Sequence, residues 1–325
     1  MKRSTLLVVF GLAACSPATT PIIDSRPQPA TPTMTDDAPR VGVLVMAHGG
    51  TPEWNESVMD AVQPSVERVP TAVAFGMANP YTLQPALDEL ASQGVDRVAV
   101  VRMFLSGESF FDQTEYFLGL SDQRPEQFVL MGPAAADPEA RSPLVHSMDV
   151  ATHEPGILDS RYISSIMVDR AEALSAEPAR EAILMIAHGM GDDTENDRVL
   201  ASMQRAAVAL EARGYADVEI TTLREDWEEK RVDAEAQIRG YVKAQASGRS
   251  VLVLPMRLSG FGPYAEVLDG LEYAAGDGLL PHADIGRWVL ETANDVTCAS
   301  GWGPIADGCH NVVADPAPAQ PTGRQ

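Results

Sequence analysis

Val43–Gly50 reads VLVMAHGG, and Ile183–Met190 reads ILMIAHGM. Each is an unbroken apolar run closed by Ala-His-Gly. A strand that is apolar at successive positions is buried on both faces, as in a parallel sheet covered by helices. Moving outward from Val43, the chain alternates. VGVLVMA (41–47) reads as a strand, and EWNESVMDAVQPSVERV (53–69) has helical spacing that Pro64 bends or ends. TAVAFGM (71–77) is a strand, and YTLQPALDELASQG (81–94) is a helix closed at Gly94. DRVAVVRMFLSG, FDQTEYFLGL and EQFVLMG then read as strand, helix and a fourth strand over 126–132. The plan returns after a long irregular stretch and the helix RYISSIMVDRAEALS. It runs EAILMIA, ENDRVLASMQRAAVALEARG, DVEITTL, EEKRVDAEAQIRGYVKAQA and RSVLVLPMRLSG, and closes with the helices AEVLDGLEYAA and ADIGRWVLETA. The fold class expected is α/β, with two tandem doubly wound parallel-sheet domains facing a central cleft.

The repeat is closer than shared architecture. VAVVRMFLSGE, ending at Glu108, aligns with VLVLPMRLSGF, ending at Phe261. Val98, Val100, Met103, Leu105, Ser106 and Gly107 each meet an identical residue in the second copy. This is a tandem duplication with one unit per domain. The expected boundaries are a signal peptide at 1–14, a tether at 15–40, domain 1 at 41–135, a linker at 136–160, domain 2 at 161–297, and a bridged loop and tail at 298–325.

In a parallel sheet, ligands lie beyond the carboxyl ends of the strands, where strand order reverses. His48 ends the first strand, and Gly49 and Gly50 let the backbone turn and approach a ligand. Glu108 follows the third strand. With strand order 2-1-3-4 these strands are neighbours, and His48 and Glu108 face one crevice. Imidazole with carboxylate suits Fe, Co, Ni or Zn, and equally suits proton transfer near neutral pH. The alternative is a strand-end histidine bonded to its own loop. It applies most to His188, whose partner position holds Phe261. His146 and His153 fall in the irregular linker, His282 precedes the last helix, and His310 is in the tail.

The segments VLVMAHGGTPEWNESV, AFGMANPYTLQPALDEL and GVDRVAVVRMFLSGES resemble the class II chelatases, specifically the sirohydrochlorin cobalto- and ferrochelatase family, over about Val41 to Ala293. The resemblance implies two similar α/β domains across a cleft, and insertion of a divalent metal, Co²⁺ or Fe²⁺ (with Ni²⁺ or Zn²⁺ as other candidates), into sirohydrochlorin or a related tetrapyrrole. The histidine of the family's His-Gly motif matches His48. Where the family usually carries a second histidine, this chain has Glu108. His48 and Glu108 are thus the expected metal-binding and catalytic residues, with His188 a further metal candidate. Such a substrate is rich in carboxylates, and Arg102 and Arg257, on corresponding strands, are the expected cations to hold it. Two other readings stay open at this point. One is an extracytoplasmic metal or tetrapyrrole binding protein without turnover. The other is a hydrolase using His48, against which stands the lack of a nucleophile elbow or of an arginine directly before the histidine.

The formal net charge is −22 over 325 residues, a surface that repels nucleic acid phosphates. MKRSTLLVVFGLAAC places two basic residues, a short apolar run and small residues before Cys15. The run is too short to span a bilayer, and the pattern resembles the lipobox of bacterial lipoproteins. The expectation is an exported lipoprotein, lipidated at Cys15 and facing the periplasm or cell exterior, with membrane contact through the anchor alone. The Pro- and Thr-rich span from Ser16 to Arg40 would be its tether. That leaves Cys298 and Cys309 in CASGWGPIADGC, expected to pair in an oxidising compartment.

Overall fold

The computed structural model describes residues 38–309. In chain order these form β1 (Val41–Ala47), α1 (Pro52–Val66), β2 (Thr71–Phe75), α2 (Pro80–Ser92), β3 (Arg97–Met103), α3 (Phe111–Phe117), α4 (Pro133–Ala136), β4 (Asp149–Thr152) and α5 (Tyr162–Glu172). The second half follows as β5 (Glu181–Ala187), α6 (Asp193–Glu211), β6 (Asp217–Thr222), α7 (Glu228–Ala246), β7 (Ser250–Met256), α8 (Tyr264–Val267), β8 (Ala274–Ala275) and α9 (Ala283–Ala299). Two four-stranded parallel sheets result, ordered β2-β1-β3-β4 and β6-β5-β7-β8.

The apolar runs of β1 and β5 divide by parity. Val43, Val45 and Ala47 face one core, while Leu44 and Met46 face another. In β5, Ile183, Met185 and Ala187 join the first of these cores, and Leu184 and Ile186 a third. Period-two alternation with both faces apolar thus makes a shared inner core between the sheets and a separate outer core on each. Helices α1, α5, α6 and α9 supply the inner layer. Helices α2 and α3 cover the first sheet, and α7 and α8 the second.

The inner layer is exchanged between the halves. Helix α5 packs on α6 and β7, and α9 packs on α1 and β3. Gly286 of α9 makes that last crossing close: a Cβ there would lie 3.0 Å from the Ala61 carbonyl oxygen and 3.2 Å from Pro64 Cγ. Pro64 stays inside α1, which ends two residues later. The buried face of α9 includes Ile285, Trp288, Val289, Ala293 and Val296. A boundary drawn in sequence assigns this helix to the second half, whereas it packs on α1 and β3 of the first.

One expected strand is absent. Residues 126–132 form a loop, although Phe128 and Leu130 pack on the outer core while Val129 and Met131 are exposed. The pleat-like alternation is real, but the backbone finds a side chain instead of a strand. Gln113 accepts from the Val129 amide at 2.8 Å and donates to the Val129, Met77 and Ala78 carbonyls at 3.1 Å. The edge of β3 is taken instead by β4, inside the segment expected to be a linker. The second half differs likewise: AEVLDGLEYAA yields the single turn α8 and then β8. Cys298 and Cys309 are disulfide-bonded. Cys15, the signal and nearly all of the tether lie outside the described residues.

Candidate functional site

Each half builds its histidine loop from the same parts. Gly49 and Gly189, directly after His48 and His188, have φ of +74° and +84°, a region that favours glycine. A helix that follows pins each loop through an asparagine. Asn55 Oδ1 accepts from the Gly50 amide at 2.9 Å, and Asn196 Oδ1 accepts from the Met190 amide at 3.1 Å. An indole then lies against a glycine in each loop. A Cβ on Gly50 would fall 2.1 Å from Trp54, and one on Gly191 would fall 2.3 Å from Trp227. Thr51 and Asp192 cap the helices that start there, through the amides of Trp54 and Glu195.

The two loops open onto one cleft of about 1050 Å³. His48, Glu108, His188 and Arg257 all line it, as do both tryptophans. Its scale suits a large planar ligand, and indole faces suit a flat macrocycle. His48 is exposed, its ring stacked on Trp54 at 5.4 Å between centroids. Its Nδ1 lies 2.9 Å from the Gly49 carbonyl. A carbonyl only accepts, so Nδ1 carries the hydrogen and Nε2 is the nitrogen left for a metal or a proton. His188 makes the same Nδ1 bond to Gly189 at 2.8 Å. Its Nε2, however, meets Asp226 Oδ2 at 3.2 Å and Glu225 Oε2 at 4.0 Å. Glu225 also pairs with Arg257.

Glu108 reaches the cleft on a loop held from below. Arg102, expected to bind substrate, is 1% exposed and does not line the cleft. Its guanidinium donates to the carbonyls of Gly107 at 2.8 Å and Ser109, the two residues flanking Glu108, and to those of His153 and Glu154. Burial pulls its pKa down to about 10. The expectation is corrected: Arg102 is a positioning residue, since bonds to main-chain oxygens satisfy a cation that has no water. Phe110, at φ +56°, completes the turn beyond Glu108. The Glu108 carboxylate pairs through Oε1 with Arg198 of α6, across the cleft. Its Oε2 is buried with no hydrogen-bond partner.

The second half has no such carboxylate after β7. Phe261, in the equivalent position, stacks on Tyr273 at 5.8 Å and edge-on to Tyr264, against the outer core. Its acids come instead from the β6–α7 loop as Glu225 and Asp226. Among the described residues no three or more His, Cys, Asp or Glu side chains converge as a metal cage. The metal candidates therefore share a cleft without forming a closed site. Arg198, Asp226 and the tryptophans were missed from sequence because they sit on helix starts and loops that periodicity does not mark. Trp54 had a signal, being the aromatic residue that follows the Gly49-Gly50 loop, whereas Trp227 follows no glycine.

No family model and no curated protein matches the chain. Solved structures do. The chain is similar to SirB from Bacillus subtilis with Fe³⁺ at TM-score 0.58 and 12% identity, covering 81% of this chain and 97% of that one. It is similar to the sirohydrochlorin chelatase SirB from Bacillus subtilis subspecies spizizenii in complex with cobalt at TM-score 0.52 and 11% identity, with the same coverage. The chain has the class II chelatase fold, in tandem α/β halves.

Proposed function

We propose that the protein inserts a divalent metal ion into a carboxylate-rich tetrapyrrole. The observation that carries this is one cleft lined by two histidines, a carboxylate and two indoles from both halves, on a chelatase fold. Sirohydrochlorin is the tetrapyrrole proposed, since one similar structure is named for chelating it, and Co²⁺ or Fe²⁺ is the metal. The metal is a substrate here. His48 Nε2 and Glu108 hold it while it sheds water. As two pyrrole N–H bonds break and two metal–nitrogen bonds form, two protons leave to the vacated donors or to water, and charge balances. The partly filled coordination shell that two protein ligands provide suits an ion that must be given up.

The test is absorbance-followed incubation of purified protein with sirohydrochlorin and Co²⁺ or Fe²⁺. A metal-dependent spectral change faster than the protein-free rate supports the reading, and no acceleration rejects it. Export and a lipid at Cys15 are a separate proposal, resting on the sequence pattern before that residue. Cys15→Ser should move the protein from the membrane to the soluble fraction, and equal solubility of the two forms rejects it.

A further inference from the structure

Glu108 cannot serve a metal fully while Arg198 holds it. One oxygen is taken by the guanidinium, and the other is buried without a partner. An unpartnered carboxylate oxygen is costly, and this one keeps its full capacity to accept a ligand. Arg198 itself is more than half exposed, at 56% of its side chain, and lines the same cleft. The other cleft arginine, Arg257, is only 22% exposed and tied to Glu225, whose side chain is 11% exposed. Acids prevail among the charged side chains of the cleft, so a polycarboxylate ligand has few cations to meet. Arg198 is the accessible one.

We infer that Arg198 is a substrate-binding residue whose pairing with Glu108 orders the two substrates. A carboxylate of the incoming tetrapyrrole takes the Arg198 guanidinium in exchange for Glu108. The freed carboxylate then completes the metal site beside His48. One ion pair replaces another, so the exchange costs little, and the metal ligand is assembled only once the macrocycle is present. This rests on the proposed function, because it names how that cleft recognises its organic substrate. The pair joins the β3–α3 loop of one half to α6 of the other, which places the exchange across the cleft.

The arrangement predicts opposite effects from its two partners. Arg198→Ala, without tetrapyrrole, should raise Co²⁺ affinity by about tenfold in isothermal titration, because Glu108 is released. The double variant Arg198→Ala with Glu108→Gln should lose that gain. Sirohydrochlorin without metal, followed by quenching of tryptophan fluorescence, should bind about tenfold more weakly to Arg198→Ala and more tightly to Glu108→Gln. Arg198→Lys keeps the charge and should fall between wild type and Arg198→Ala in both titrations. Unchanged or weaker Co²⁺ binding by folded Arg198→Ala overturns the inference, whatever the tetrapyrrole does. If wild type quenches with sirohydrochlorin and Arg198→Ala quenches equally, the substrate role of Arg198 fails while the proposed function stands. If wild type does not bind sirohydrochlorin, the proposed function fails, and the substrate exchange with it.

Discussion

His48 and His188 end equivalent strands, turn on equivalent glycines and bond their own loops through the same nitrogen, yet their surroundings differ. His48 stacks on an indole and has no ion pair among the described residues. His188 points Nε2 at Asp226 and lies near Glu225, which also pairs with Arg257. The carboxylate of the first half arrives after β3 and is steered by a buried arginine. The matching place after β7 carries a phenylalanine in an aromatic cluster. Duplication gives two copies of a loop, and the residues around each copy decide what it does. The first half presents an available nitrogen and a poised carboxylate. The second presents a neutralised network and one indole wall.

Phe261→Glu transplants the first-half carboxylate to the second half. There it meets Tyr264 and Tyr273, and the Arg257 side chain that packs against Gly262 of the same loop is already paired with Glu225. Replacing a partly buried aromatic ring with a charge should destabilise the fold by about 3 kcal/mol, read from urea unfolding. It should add no second Co²⁺ event in titration, and a second event would mean that the carboxylate alone defines the site.

His153 sharpens the asymmetry. It follows β4, and from the strand pairings its counterpart after β8 is Gly276. Burial, and then the Arg102 charge, lowers its pKa to about 4, and neither ring nitrogen has a hydrogen-bond partner. The unfolded chain therefore binds a proton that the folded one refuses between pH 6.5 and 4. Its contribution is fully present above pH 6.5 and is lost as pH falls through that window, by about 3 kcal/mol. His153→Phe should flatten the fall in stability over this range relative to wild type. Parallel pH curves for the two proteins would show that the ring is already solvated. The smallest effect expected is that of Gly286→Leu, which overpacks the α9–α1 crossing and should cost about 1–3 kcal/mol. Because the inner helices are exchanged, both halves should unfold together, in one transition at lower urea. Two separated transitions would show that the halves are independent domains.

The buried strands were legible in the sequence, because residues apolar at every position admit one environment; the order 2-1-3-4 was a condition of that reading, and the pairings have it with a different fourth strand. The helices that cover the sheets were legible by spacing. The edge strand β4 was not, since DVAT is four residues with partly exposed side chains, weaker in pattern than the loop at 126–132. The exchange of α9 was invisible because its apolar face records that it is buried, without recording against what. His48, Glu108, His188 and Arg257 do reach one cleft. Arg102 does not, and a signal was available: an arginine inside VAVVRMF has no solvent to reach. Arg198 depends on how the halves face each other, and Asp226 and Trp227 on how the β6–α7 loop folds back on the His188 loop, which no local pattern encodes.

The most direct test of the account compares His48→Ala with His188→Ala in the absorbance-followed insertion of Co²⁺ into sirohydrochlorin. His48→Ala should lower the rate by at least about 100-fold and His188→Ala by less than about tenfold. A loss in His188→Ala equal to or greater than that in His48→Ala would contradict it, and would move the working site to the second half.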